Sequence, residues 1–159
     1  MLFSIWNWNG SASVFDSGYV ENGWLRRSND GSCNLNTPIA LPSHFIMTYT
    51  FKKTSNTFSE YIICGESSTN SRNYHIGNLA GSRFIMRRNT DNALLFDGTN
   101  VISPNTEYNV SIEYDNGSWT CKLNNNSYTA SDSTISMDYL FGIGMVAHGY
   151  IKDMQIRPL

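Results

Sequence analysis

The chain has 159 residues, of which 40% are hydrophobic, 13% aromatic and only 15% charged, with a formal net charge of −2. That length buries a core without metal or disulfide staples, and because the basic pairs Arg26-Arg27, Lys52-Lys53 and Arg87-Arg88 each point to opposite faces of a strand, the sequence shows no clustered positive face of the kind a nucleic-acid binder needs. Polarity comes instead from Asn, Ser, Thr and Gly, which disfavour helix interiors and suit turns and half-exposed strands.

In the N-terminal third, Ile5–Asn9, Gly23–Ser28 and Ser32–Leu35 are predicted strands, each interrupted by Gly or Asn. The apolar start, Met1 to Trp6, is short, lacks a basic stretch and runs straight into Asn7 and Asn9, so no secretion signal is read there. For a protein that works outside a cell, the expectation is a fragment or release by lysis. No apolar stretch approaches the ~20 residues that span a bilayer, and no membrane insertion is expected.

The next strand is long: in His44–Lys53, Phe45, Met47, Tyr49 and Phe51 alternate with His44, Ile46, Thr48, Thr50 and Lys52. Shorter strands follow at Glu60–Cys64, Asn73–Asn78, Ser82–Arg88 and Asn92–Asp97, separated by Gly, Asn and Ser. Glu107–Tyr114 places Tyr108, Val110, Ile112 and Tyr114 on one face. It leads into Asn116-Gly117, whose tolerance of positive φ marks a type I′ hairpin. Ser118–Leu123 returns, with Trp119, Cys121 and Leu123 on one face, and Asn124-Asn125-Asn126 turns again. Ser131–Asp138 is the helix candidate, too short and too rich in Ser and Thr to stand alone. Tyr139–Met145, a turn at Ala147-His148-Gly149, and Tyr150–Arg157 close the chain, with a bulge predicted where the phase breaks at Lys152-Asp153. Cys33, Cys64 and Cys121 form no CxxC motif. They read as small buried hydrophobes, with one disulfide plus a free thiol as the alternative.

These elements predict one all-β domain over residues 1–159, a two-sheet antiparallel β-sandwich. The wording of the C-terminal third adds a resemblance. Leu140-Phe141-Gly142-Ile143-Gly144 followed by Gly149-Tyr150-Ile151-Lys152-Asp153-Met154 is similar to the closing strands of the concanavalin A-like lectin/glucanase superfamily, especially its laminin-G-like branch. Ser43 to Tyr49 resembles the early core strand of the same group. The resemblance implies a jelly roll of two curved sheets that takes ligands on the concave face or at loops along one rim. Such domains occur in phage tail and receptor-binding proteins, in adhesins and as carbohydrate-binding appendages.

Catalytic motifs are missing. Glucanases of this superfamily carry a Glu-x-Asp-x-Glu or Glu-x-Asp-x-x-Glu run that brings two carboxylates together. Here Glu107 and Glu113 share a face but lie roughly 20 Å apart along a strand, and Glu60 and Glu66 are isolated. There is no GxSxG, HExxH or P-loop. His44, His75 and His148 read as solvated or hydrogen-bonded imidazoles rather than metal ligands. No cofactor is expected. The resemblance raises calcium as an alternative, at Asn29-Asp30-Gly31 or Asp115-Asn116-Gly117, but each segment offers one carboxylate and already makes sense as a turn.

Binding candidates are therefore the focus. Trp6 and Trp8 share a face of their predicted strand, and Trp24 sits between Gly23 and Leu25-Arg26-Arg27; each reads either as core or as a platform for the apolar face of a sugar. If Tyr74, Ile76, Phe84 and Met86 point inward, Asn73, His75, Arg83 and Arg87 line the opposite face. Such a groove suits a glycan carrying carboxylate or phosphate, because Arg forks onto such groups; an ordinary solvated face is the competing reading. The function expected is a non-catalytic carbohydrate-recognition module whose partner is a glycan or cell-surface receptor. The setting expected is a phage tail or adhesin, on a virion or extracellular surface. The alternatives are a structural or protein-binding domain, for example a homotrimer in a virion assembly, and an unrecognised glycan-cleaving enzyme.

Overall fold

The computed structural model describes residues 5–29, 31–55, 60–66, 72–99, 101–145 and 149–159. The strands are β1 (Trp6–Asn7), β2 (Tyr19–Glu21), β3 (Trp24–Arg26), β4 (Gly31–Ala40), β5 (His44–Lys53), β6 (Glu60–Gly65), β7 (Asn73–Ala80) and β8 (Arg83–Arg88). They continue with β9 (Ala93–Gly98), β10 (Tyr108–Asp115), β11 (Ser118–Leu123), β12 (Asn126–Ser131), β13 (Tyr139–Met145) and β14 (Gly149–Pro158). Among the described residues they form two antiparallel sheets. The larger runs β12-β11-β10-β5-β14-β3-β2, with β1 also on β14, and the smaller runs β4-β13-β6-β7-β8-β9. This is the two-sheet sandwich that the alternating pattern predicts.

Period-2 burial decides which side chains meet between the sheets. From the larger sheet, β5 turns Phe45, Met47, Tyr49 and Phe51 inward, β10 adds Tyr108, Val110, Ile112 and Tyr114, and β11 adds Trp119, Cys121 and Leu123. The smaller sheet answers with Ile62 and Cys64, Tyr74 and Ile76, and Phe84 and Met86. Each fully buried large apolar side chain contributes about 1.5–3 kcal/mol relative to exposure. The three thiols are buried within this core.

The β10–β11 hairpin turns at Asn116 and Gly117, both at positive φ (47° and 85°), as the type I′ reading requires. The predicted bulge is also present: the β14–β5 register shifts between Lys152 and Gln155, and Asp153 adopts φ 55°. β12, which is not among the predicted strands, follows directly on the Asn124 turn as an edge strand, with Tyr128 and Ala130 partly buried against the core. Residues 131–138 form no helix; instead Ile135 and Met137 pin an irregular segment to the core. In the predicted turn at Ala147-His148-Gly149, residues 147 and 148 lie outside the described residues.

One end of the interior is polar. Lys53 continues the inward phase of β5 and is fully buried; its Nζ donates to Asn78 Oδ1 (2.9 Å) and to the Gly81 carbonyl. Glu60, at the start of β6, is 1% exposed, and neither carboxyl oxygen has a hydrogen-bond partner among the described residues. Burial pushes the Glu60 carboxyl up to about 8 against the opposing pull of Lys53, and the same burial lowers Lys53.

Candidate functional site

The outer face of the smaller sheet is ordered by its ladders. One row reads Gly144, Tyr61, Gly77, Ile85, Asp97 across β13, β6, β7, β8 and β9; the next reads Gly142, Ile63, His75, Arg87, Leu94. With Tyr74, Ile76, Phe84 and Met86 in the core, alternation turns Asn73, His75, Arg83 and Arg87 to this face together, as the sequence predicts.

At its centre, Arg87 Nη2 lies 3.0 Å from His75 Nδ1. A guanidinium only donates, so Nδ1 accepts and the proton of the neutral ring sits on Nε2. Burial, reinforced by the Arg87 cation, holds His75 down to about 4, so the ring is neutral around pH 7. The Tyr61 ring stacks on His75 with centroids 4.5 Å apart and planes at 24°. It occupies the space where a Cβ on Gly144 would stand, so glycine at that position is what lets the ring lie there. Ile63, Ile85 and Phe141 are nearly buried around the cluster.

The arginines differ in their partners. Arg83 forks onto Asp97, at 3.1 and 2.6 Å. Arg88 holds Asp91 and Asp132 and belongs to the rim. Arg87 has no carboxylate among the described residues, and its buried Nε has no hydrogen-bond partner there. It is a cation held in place by a neutral histidine. Asn73 is buried at the end of the same face, and His75 is nearly so.

The tryptophans do not join this group. Trp24 lies on the outer side of the other sheet and is 7% exposed. Lys52 and Lys152 stand 4.5 and 4.3 Å from its ring, and Tyr150 packs edge-on. That covering leaves little of its ring face exposed. Trp6 and Trp8 are partly buried against the core; Trp6 pairs with Ile156, and Trp8 donates to the Ser11 carbonyl and meets Phe15 edge-on. Sequence reasoning missed Tyr61. Its signal was phase, since Tyr61 alternates with Ile62 on a strand whose neighbour carries His75.

The calcium alternative does not fit Asp115-Asn116-Gly117. Asp115 is held by His44 at 2.6 Å, and the remaining residues form the type I′ turn, far short of the six to eight oxygens calcium takes. Asp30 lies outside the described residues. Among the described residues no group of three metal-ligating side chains converges. No helix among them is long and apolar enough to cross a membrane.

No protein-family model matches the sequence, and no curated protein matches it. Solved structures do. The chain is similar to the carbohydrate-binding module CBM66 from Bacillus subtilis, with TM-score 0.68 and 11% identity over 97% of this chain and 96% of that one. A candidate glycosyl hydrolase from Parabacteroides distasonis aligns with TM-score 0.65 and 11% identity over 95% and 91%. The Caenorhabditis elegans galectin LEC-6 aligns with TM-score 0.56 and 10% identity over 81% and 94%. At such identities the likeness speaks for architecture: this is an all-β jelly-roll sandwich.

Proposed function

We propose that the protein is a non-catalytic glycan-binding module whose site is the outer face of the smaller sheet, centred on Tyr61, His75 and Arg87. The observation that carries this reading is Arg87, a preorganised guanidinium beside an aromatic stack and without a carboxylate among the described residues. Stacking rings take the apolar C–H face of a sugar, while a forked cation takes a carboxylate, sulfate or phosphate on it. The ligand class is therefore an acidic glycan. The names of two of the similar structures, a carbohydrate-binding module and a galectin, support carbohydrate as the ligand of this architecture.

Binding rather than cleavage is favoured because, along the outward strand positions of this face, the carboxylate is Asp97, and Arg83 engages both its oxygens. Glycosidic cleavage needs two free carboxyl groups roughly 5–9.5 Å apart. The same face suits a domain displayed on a phage tail or adhesin, where recognition of a host-surface glycan is the task.

A glycan array carrying matched acidic and neutral sugars tests the reading. The wild-type protein is expected to retain acidic glycans, and Arg87→Ala to lose them by roughly 10- to 100-fold, the range for removing charge-assisted hydrogen bonds. Equal retention of neutral and acidic glycans by both proteins would refute it.

A further inference from the structure

We infer that the protein carries a second saccharide site on the opposite side of the sandwich, in a trough across the outer face of β14, β5, β10 and β11 that takes a neutral short oligosaccharide. The inference does not depend on the Arg87 site, which lies on the other sheet.

The trough is a cavity of about 350 Å³, within the ~300–1,000 Å³ range of small-molecule sites. Its floor follows from alternation. Tyr49 and Val110 point inward to the core, so the outward positions of two paired strands are Thr48 and Thr50 opposite Ser111 and Asn109. Every one of these side chains both donates and accepts, which matches sugar hydroxyls better than it matches an apolar or singly charged ligand.

The floor is also rigid. The Thr50 hydroxyl donates to Asn109 Oδ1 at 3.0 Å, and Asn124 Oδ1 accepts from the Asn109 backbone at 2.9 Å. Threonine is stiff at χ1, so little side-chain entropy is lost when a ligand lands.

The walls come from two different devices. On one side stand Lys122 and Asn124, at the end of β11. On the other side the β14 bulge lifts Asp153, a non-glycine residue held at φ 55°. Such a conformation costs about 1–3 kcal/mol and concentrates at functional sites. Neither Lys122 nor Asp153 has an ion-pair partner among the described residues. They face each other across three strand spacings, about 14 Å. Opposite charges at the two ends leave no net charge to draw an ionic ligand, and that span fits two or three linked sugar rings rather than one. Among the described lining residues no ring face turns into the trough, Tyr49 pointing to the core, so recognition runs through hydroxyl edges.

The test is an amide NMR titration of the intact chain with lactose, cellobiose, maltotriose and chitotriose at millimolar concentration. At least one of these neutral sugars is expected to give saturable shifts clustered at residues 48–50, 109–111 and 122–124. Those shifts should persist in Arg87→Ala. They should weaken by roughly tenfold or more in Ser111→Trp, which fills the trough, and in Thr50→Val, which keeps the side-chain shape and removes the hydroxyl. Thr50→Val guards against a folding artefact in the bulkier variant. No saturable shift with any of the four sugars overturns the inference. So do shifts that appear only around Tyr61, His75 and Arg87, or trough shifts that both variants leave unchanged. Trough shifts in a protein whose array shows no acidic-glycan binding would support this second site and refute the first.

Discussion

Replacing Glu60 with Gln should stabilise the protein, and increasingly so as pH rises. Glu60 is 1% exposed, its carboxyl oxygens have no hydrogen-bond partners among the described residues, and burial raises it from 4.5 to about 8. The folded chain therefore holds a proton that the unfolded chain has released between those two values. Stability falls as pH climbs through that window, because the native state binds more protons there. At ~1.4 kcal/mol per pKa unit, the penalty is roughly 3 kcal/mol at pH 7 and roughly 4 kcal/mol at pH 8. An amide has the shape of the protonated carboxyl and does not titrate. Glu60→Gln is thus expected to match the wild type below about pH 4.5 and to gain those amounts above it, a rise of roughly 6–12 °C in Tm at pH 7 for a chain of this size. Thermal and urea melts of both proteins from pH 4 to 8 measure it. The reasoning assumes that desolvation outweighs attraction to Lys53. If Glu60 is instead ionised and compensates the buried Lys53, removing it strands an ammonium, and the variant would be several kcal/mol less stable at neutral pH. A Glu60→Gln protein that melts below the wild type at pH 7 refutes the argument.

Further outcomes concern the faces of the sandwich. His75 is expected to titrate near 4 by NMR. Its folded value lies below the unfolded one, so it removes stability as pH falls from about 6.5 toward 4; a measured value at or above 6.5 would contradict the neutral, Arg87-bonded ring. Gly144→Ala puts a methyl where the Tyr61 ring lies. It should cost about 1–3 kcal/mol of stability and weaken acidic-glycan retention, whereas unchanged retention would remove Tyr61 from the site. Trp24→Ala should cost about 3–5 kcal/mol in a urea melt, as for a large buried aromatic, with glycan retention at the Arg87 face unchanged; lost retention without lost stability would restore Trp24 as a platform.

Much of the architecture is legible in the sequence because alternation is local. Lengths and phases of β5, β10, β11 and β13 emerge from residues two apart, and Asn116-Gly117 names its own turn. What escapes depends on distant partners. β12 is an edge strand with one neighbour in its sheet, and only Tyr128 and Ala130 turn toward the core, too few to show as an alternation among Asn, Ser and Thr. The phase of β5 already placed Lys53 inward after Phe51, yet only the tertiary structure supplies Asn78 and the Gly81 carbonyl as its acceptors. At the site, phase put Asn73, His75, Arg83 and Arg87 on one face. Phase could not say that Asp97 would neutralise Arg83, that Tyr61 would cross onto His75, or that two lysines would cap Trp24. Each of those facts belongs to strand order and register, which bring together residues far apart in the chain.

The most direct probe of the glycan site is the Arg87 Nε–Hε resonance, followed by NMR while the best-retained acidic glycan is titrated into the protein. That group is buried and has no acceptor among the described residues, so an anion docking on the guanidinium should shift it saturably, together with the Tyr61 and His75 ring signals. A glycan that binds with the same affinity while all three signals stay fixed would show that recognition happens elsewhere on the molecule.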